Sequence, residues 1–296
     1  MKKIDKIALA YLVGTSLFYG LLIVVQKIGL NFGLEPLSFS FSRSAIIVFI
    51  SLVFFSSQLK SIKYIKKCQL RDLLILGIAS AASILILFVG QNITTAVNAG
   101  FLIRLTPLFV LPLAYLLLKE KPLGSSIFFM LIMLVGTFLL TTHGAMIVPH
   151  LGDLLIILVA MVIAFQNVFA KKIMHRVSTD LVIFFRVFIS ALLIVVLIPF
   201  LLGSQSTNSL FESPFYVLVA AILYFLSVIC QYRAIKLVGP FIATAFFLSG
   251  SLLSALFAYV LLGEALSFMQ WAGAIGILLG GYLLIKKNLI GKELAI

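Results

Sequence analysis

Acidic residues are scarce: nine Asp and Glu stand in 296 residues, against 22 Lys and Arg. Tryptophan occurs once, cysteine twice and histidine three times. Charged residues of both signs make up only 10% of the chain, hydrophobic residues make up 63%, and the mean hydropathy is +1.25. A soluble domain needs more polar surface than this, so that class is excluded. Cys68 lies in a basic loop and Cys230 in an apolar run, far apart, which leaves neither a disulfide framework nor a metal-ligand spacing. His143, His150 and His175 fall in loops without a shared ligand spacing, so the sequence calls for no metal. With no phosphate-binding glycine loop and no nucleophile and base in register, it calls for no cofactor either and gives no sign of an enzyme. The formal charge of +13 is spread singly over helix ends and makes no basic stripe, which speaks against a nucleic-acid partner.

What is abundant is long apolar runs. Crossing about 30 Å of hydrocarbon takes roughly 20 apolar residues, and polar or Gly/Pro-rich breaks divide the chain into ten such segments. They are predicted at residues 7–26, 36–57, 72–91, 97–118, 125–142, 153–170, 180–202, 215–235, 241–262 and 268–285. The fold class expected is all-α and integral to a membrane. The first segment follows Lys2, Lys3 and Lys6 as a signal peptide would, but its counterpart in the second half marks it as a retained helix. Lys and Arg flanking such helices stay in the cytoplasm. With the N-terminus inside, all of them but Lys27, Arg43, Arg104 and Arg186 fall at cytoplasmic ends. A cytoplasmic-membrane protein with both termini inside is the expectation.

Shifting the sequence by 144 residues against itself superposes Leu118-Lys119-Glu120 on Leu262-Gly263-Glu264, Ala114-Tyr115 on Ala258-Tyr259, and Gly136 on Gly280. A shift of 143 pairs Arg43 with Arg186. A duplicated unit is the plain reading, with repeats at 1–144 and 145–296. Five helices is an odd number, so the second copy enters the membrane from the opposite side. Such inverted repeats are the architecture of alternating access around a site near the midplane.

These residues resemble the drug/metabolite transporter superfamily, in its ten-helix branch with paired EamA domains. The resemblance is carried by Thr106-Pro107 through Leu118-Lys119-Glu120-Lys121 to Gly136, by Ser251 through Gly263-Glu264 to Gly280, and by Arg43 and Arg186 in the second helix of each half. Lys119 departs from the pattern, standing where Gly is common. The resemblance implies a cavity between the halves, lined by helices one to four and six to nine, with helices five and ten peripheral. It also implies export or exchange of amino acids, related metabolites or other small organic solutes.

Charges inside a bilayer are expensive, which singles out Arg43, Arg104 and Arg186. Arg43 and Arg186, the symmetric pair, are read as gate or structural residues. Arg104 matches Leu248 in the other half, and a residue that breaks the symmetry suits recognition of a carboxylate or phosphate on an asymmetric substrate. The other candidate substrate-binding residues are polar side chains within apolar runs: Tyr19, Gln91, Asn98, Thr106, Gln166, Asn167, Tyr224 and Gln231. Gln166 and Asn167 point about 100° apart, so at most one faces a cavity squarely. Pro107 frees the carbonyl of Ile103 and kinks helix four, and Gly250 between Ser249 and Ser251 gives helix nine similar freedom. The reading is therefore a secondary transporter of an amino acid-like or anionic metabolite, working as an exporter. The alternative is a broad exporter of lipophilic cations, suggested by 27 Phe and weakened by the lack of any mid-helix carboxylate. Proton coupling through Asp153, Asp180 or a terminal Glu stays open. So does the choice of monomer or homodimer, because Gly273, Gly276, Gly280 and Gly281 suit packing within one chain as well as between two.

Overall fold

The computed structural model describes residues 3–32, 36–145, 148–202 and 214–290. Lys2, Glu35, Glu212, Lys292 and Glu293 lie outside them. Ten helices are long and apolar enough to cross a membrane. They are α1 (Lys3–Asn31), α2 (Pro36–Phe54), α3 (Lys67–Asn92), α4 (Ala96–Leu118), α5 (Gly124–Thr142), α6 (Leu151–Ile173), α7 (Thr179–Leu202), α8 (Pro214–Val238), α9 (Pro240–Leu262) and α10 (Phe268–Ile285). The first and third begin earlier than predicted, because a basic turn can stay helical in the headgroup region where the apolar run has not yet begun. Conversely α2 stops at Phe54, before the predicted end, and the chain continues as short turns at Ser56–Leu59 and Lys60–Tyr64.

The helices pack through small side chains. Ala114, Ala160, Ala164, Ala170, Ala220, Ala221 and Ala245 are fully buried, while Phe49, Leu116, Phe128, Leu154 and Val260 are exposed on the outside. Lipid is as apolar as leucine, so it supplies no hydrophobic drive for helix association. Close approach over small residues, with the dispersion contacts it permits, is what holds such bundles. The tightest example is α5 against α10, where a Cβ added to Gly273 would strike the Gly136 carbonyl and one added to Gly280 would lie 2.6 Å from Met133 Cγ. Gly276 and Gly281 also face α5, so α5 occupies the whole small-residue stripe of α10 within the chain.

Contacts between elements follow a rule: adding five to each helix number, and wrapping round at ten, maps the main pairs onto one another. α1 packs on α8 and α9 as α6 packs on α3 and α4; α3 packs on α7 as α8 packs on α2; α2–α7 and α5–α10 map onto themselves.

Two helices are interrupted, at matching places. In α4 the segment Ala96–Leu102 gives way to a 3-10 turn at Ile103–Leu105 before Thr106–Leu118. In α9, Pro240–Phe246 and Ser249–Leu262 are separated by Phe247 and Leu248, which lie 144 residues beyond Ile103 and Arg104. Pro107 has no N–H to continue the first ladder. At each break a hydroxyl folds back onto the carbonyl three residues before it: Thr106 Oγ1 donates to Ile103 O at 2.5 Å, and Ser249 Oγ to Phe246 O at 2.7 Å. Both helices then end in left-handed residues, Lys119 at φ 57° and Gly263 at φ 68°. The motif is therefore one backbone geometry, built once with the residue that suits it and once without.

Candidate functional site

A cavity of about 170 Å³ opens where the two breaks meet. For scale, an engineered apolar cavity of about 150 Å³ accommodates benzene. Its lining comes from α1, α3, α4, α6, α7, α8 and α9. No lining residue comes from α5 or α10, nor from α2, which reaches the site only through Arg43.

Seven pairs of lining residues are separated by 144 positions: Tyr19 and Ile163, Ser80 and Tyr224, Ser83 and Ser227, Ile84 and Val228, Leu87 and Gln231, Ile103 and Phe247, Arg104 and Leu248. Equivalent places in the two halves therefore face one space. In four of the pairs one partner is a tyrosine, an amide or a guanidinium where the other is aliphatic or a small hydroxyl. Tyr19 and Arg104 supply that chemistry from the first half, Tyr224 and Gln231 from the second. Beside these polar groups the lining carries aliphatic side chains, Ile84, Leu87, Val159, Ile163 and Leu248 among them.

Three guanidinium groups stand at the site. Arg104 stands in the 3-10 turn of α4, close to Tyr19, with its Nε buried and without a hydrogen-bond partner. Arg186 is 9% exposed, lies 5.0 Å from the ring centroid of Tyr232 and neighbours Tyr224; its Nε and Nη1 are buried and unpartnered. Arg43 lies 5.4 Å from the ring of Tyr224 and donates from Nη1 to Gln26 Oε1 at 3.2 Å. Tyrosine faces offset part of the cost of these cations through cation–π attraction. Among the described residues no carboxylate forms an ion pair with any of the three, and none lines the cavity.

Of the residues singled out in the sequence, Tyr19, Arg104, Thr106, Pro107, Asn167, Arg186, Tyr224 and Gln231 line this one space. Asn167 does so while donating to Thr244 Oγ1 at 3.5 Å. The structure places the others elsewhere. Gln166 turns to α3, donating to Ala79 O at 3.0 Å and Ser83 Oγ at 3.1 Å. Asn98 donates to Val148 O at 2.8 Å and to the Asp153 carboxylate at 2.9 Å, joining the start of α4 to the start of α6. Gln91 is exposed at the end of α3. Gly250 sits beside Ser16 and Tyr19 at the start of the second segment of α9, just after the break, and the break itself falls at Phe247 and Leu248. Ser80, Ser83, Ser227, Thr244 and Phe247 line the cavity without having been singled out. For Ser83 and Ser227 the signal was available, since the 144-residue shift superposes them.

Acidic side chains collect at the two ends of the bundle. Asp153 caps α6, accepting from the His150 N–H at 2.9 Å and from Thr94. Asp180 is ion-paired with Arg233 at 3.2 Å, and Arg233 also donates to Tyr11 at 3.2 Å. Lys27 is ion-paired with Glu264.

The sequence profile of the EamA-like transporter family matches residues 6–142 and again 150–286. An "Uncharacterized transporter" of Methanothermobacter thermautotrophicus is 27% identical over 232 residues, covering 74% of this chain. This chain spans 66% of that relative's length. A solved crystal structure shares the fold at a TM-score of 0.75 and 17% identity, over 97% of this chain and 98% of the other.

Proposed function

This chain belongs to the EamA-like transporter family, and on that premise we propose that it is a secondary transporter that moves a small amino acid-like or anionic metabolite across the cytoplasmic membrane by alternating access. The family resemblance implies export or exchange, and export is the direction proposed. The observation that carries the proposal is the cavity itself: seven pairs of residues in the same 144-residue register face one space at two broken helices. Broken helices at corresponding places in two halves are how such transporters build a site near the midplane. Repeats at 1–144 and 145–296, of opposite orientation, fit this register, and both termini are assigned to the cytoplasm.

A second register supports the alternation. Lys27 at the end of α1 is ion-paired with Glu264 beyond α9, and the same shift of 144 leads from Lys27 to Lys171 and from Glu120 to Glu264. Lys171 lies within electrostatic reach of Glu120 but makes no ion pair with it, donating instead to the Lys236 carbonyl at 2.7 Å. One pair is closed and its counterpart is apart. Both members of the closed pair are about half exposed, so it contributes about 0–1 kcal/mol to stability, and its use lies in sealing one end.

Cysteines at positions 27 and 264, in a chain with Cys68 and Cys230 replaced by Ser, test this directly. Oxidative cross-linking is expected to stop flux of solute from sealed vesicles, and reduction to restore it. Flux that continues in the cross-linked protein would overturn alternating access at this pair. Export of lipophilic cations draws no support from the cavity, whose lining has no acidic side chain and, among 27 Phe, only Phe247.

A further inference from the structure

We infer that the cargo is an organic anion without an ammonium group: a single carboxylate or phosphate head on an apolar body about the size of a benzene ring. This deepens the transport reading and rests on it. The sequence left amino acid-like and anionic solutes side by side, and the distribution of charge around the cavity separates them.

A zwitterion needs two sites, one for each charge. The carboxylate has its site in Arg104 and Arg186, which line the cavity and keep guanidinium nitrogens without protein partners. Buried donors of this kind are costly unless a ligand satisfies them, and a guanidinium fork fits a carboxylate or phosphate. An ammonium group has no carboxylate to meet anywhere on the lining. Its remaining partners are neutral hydroxyls, amides and ring faces, and several acceptors are already engaged: Thr244 accepts from Asn167, and Ser83 from Gln166. It would stand instead in the field of Arg104 and Arg186, with Arg43 behind Tyr224 adding a third positive charge. Like charges in a low-dielectric space repel strongly.

The shape of the lining sets the rest of the molecule. Arg104 and Tyr19 neighbour each other, while their counterparts in the register, Leu248 and Ile163, are aliphatic. An anionic head held by Arg104 and Arg186 therefore leaves its tail to the aliphatic lining, Leu248 and Ile163 among it. The tail is short: about 170 Å³ holds a ring and little more.

The test is a set of compounds with one ring and one head: phenylacetate, phenyl phosphate, phenylglycine and benzylamine, titrated into the purified full-length protein at equal ionic strength. Phenylacetate and phenyl phosphate are expected to bind. Phenylglycine, which is phenylacetate with an added ammonium, is expected to bind at least about 10-fold more weakly, and benzylamine not at all, as follows from losing or opposing one charged hydrogen bond. In Arg104→Gln the anions are expected to lose about 10-fold or more in affinity, with Arg104→Lys recovering part of it. If Arg104→Gln does not fold, the wild-type series still decides. Phenylglycine binding as tightly as phenylacetate, binding by benzylamine, or no binding by either anion would each overturn the assignment. Flux of phenyl phosphate from sealed vesicles separates the two readings. An anion that binds but is not moved leaves the charge assignment standing and removes transport of that cargo. Flux of an amine or a zwitterion with no anion binding does the reverse.

Discussion

At the scale of single residues, the two halves solve one backbone problem with different side chains. Lys119 and Gly263 both end a broken helix in the left-handed region, and the carbonyls of Ala114 and Ala258 each accept from the N–H of the following Glu. A left-handed conformation costs an L-residue about 1–2 kcal/mol, and glycine escapes this at the expense of about 0.5–1 kcal/mol of extra chain entropy. Lys119→Gly is therefore expected to stabilise the protein by up to about 1 kcal/mol, read as a higher Tm of the purified protein. No gain, or a loss, would mean that the Lys119 side chain contributes more than its backbone costs. The same scale explains why some polar residues never reach the cavity. Asn98 and Asp153 satisfy each other and the loop carbonyl of Val148, and a buried polar group that has found its partners has no donor left for a ligand.

At the scale of elements, the decisive feature is that α4 and α9 are each two helices meeting at a turn. The turn of α4 carries Arg104, and both turns leave backbone beside the cavity without a regular α-helical ladder. Irregular backbone at membrane depth is tolerated only where it is buried in protein or lines a cavity, and both breaks do line one. The opposite case is α5 with α10, a rigid pair on the far side of the bundle. Gly273→Val would push a branched side chain into the Gly136 carbonyl. Overpacking of this kind costs about 1–3 kcal/mol, so this variant is expected to melt several degrees lower while Gly263→Ala, where no atom lies within 4 Å of an added Cβ, shows only the smaller cost of its φ. Equal losses from the two would show that α5 and α10 do not pack as closely as their glycines imply.

At the scale of the whole molecule, the proposed orientation rests on charge. The contacts of Lys171 and Lys236 with helix-end carbonyls, of Arg233 with Asp180 and of Gln69 with the Arg176 carbonyl gather one set of helix ends together. Thr94, Asn98, Asp153, Lys27 and Glu264 belong to the other set. Lysine and arginine crowd the first set, and in the orientation proposed above that set faces the cytoplasm. Cys68 is exposed near the start of α3, on that face, whereas Cys230 is half-buried within α8. A membrane-impermeant maleimide is expected to label Cys68 in inside-out vesicles and not in right-side-out ones. Labelling from the outside would reverse the orientation and every loop assignment with it.

Much of this was legible in the sequence because it depends on one-dimensional quantities. The number of spans follows from the length of apolar runs against a fixed bilayer thickness, the expected orientation from counting lysines, and the 144-residue register from superposing the chain on itself. Even the breaks were half visible, since Pro107 lacks the N–H a ladder needs, though the sequence pointed to Gly250 where the structure breaks three residues earlier, at Phe247. Which polar residues share the cavity was not legible. Gln166 and Asn167 are adjacent and alike in chemistry, and helical periodicity says only that they diverge by about 100°. It cannot say which neighbour waits on each side. That α3 presents Ala79 and Ser83 to Gln166, while α9 presents Thr244 to Asn167, is decided by helices packed from distant parts of the chain. In a bilayer every side of a helix is apolar until a partner helix arrives, so only tertiary packing separates a buried hydrogen bond from an open site.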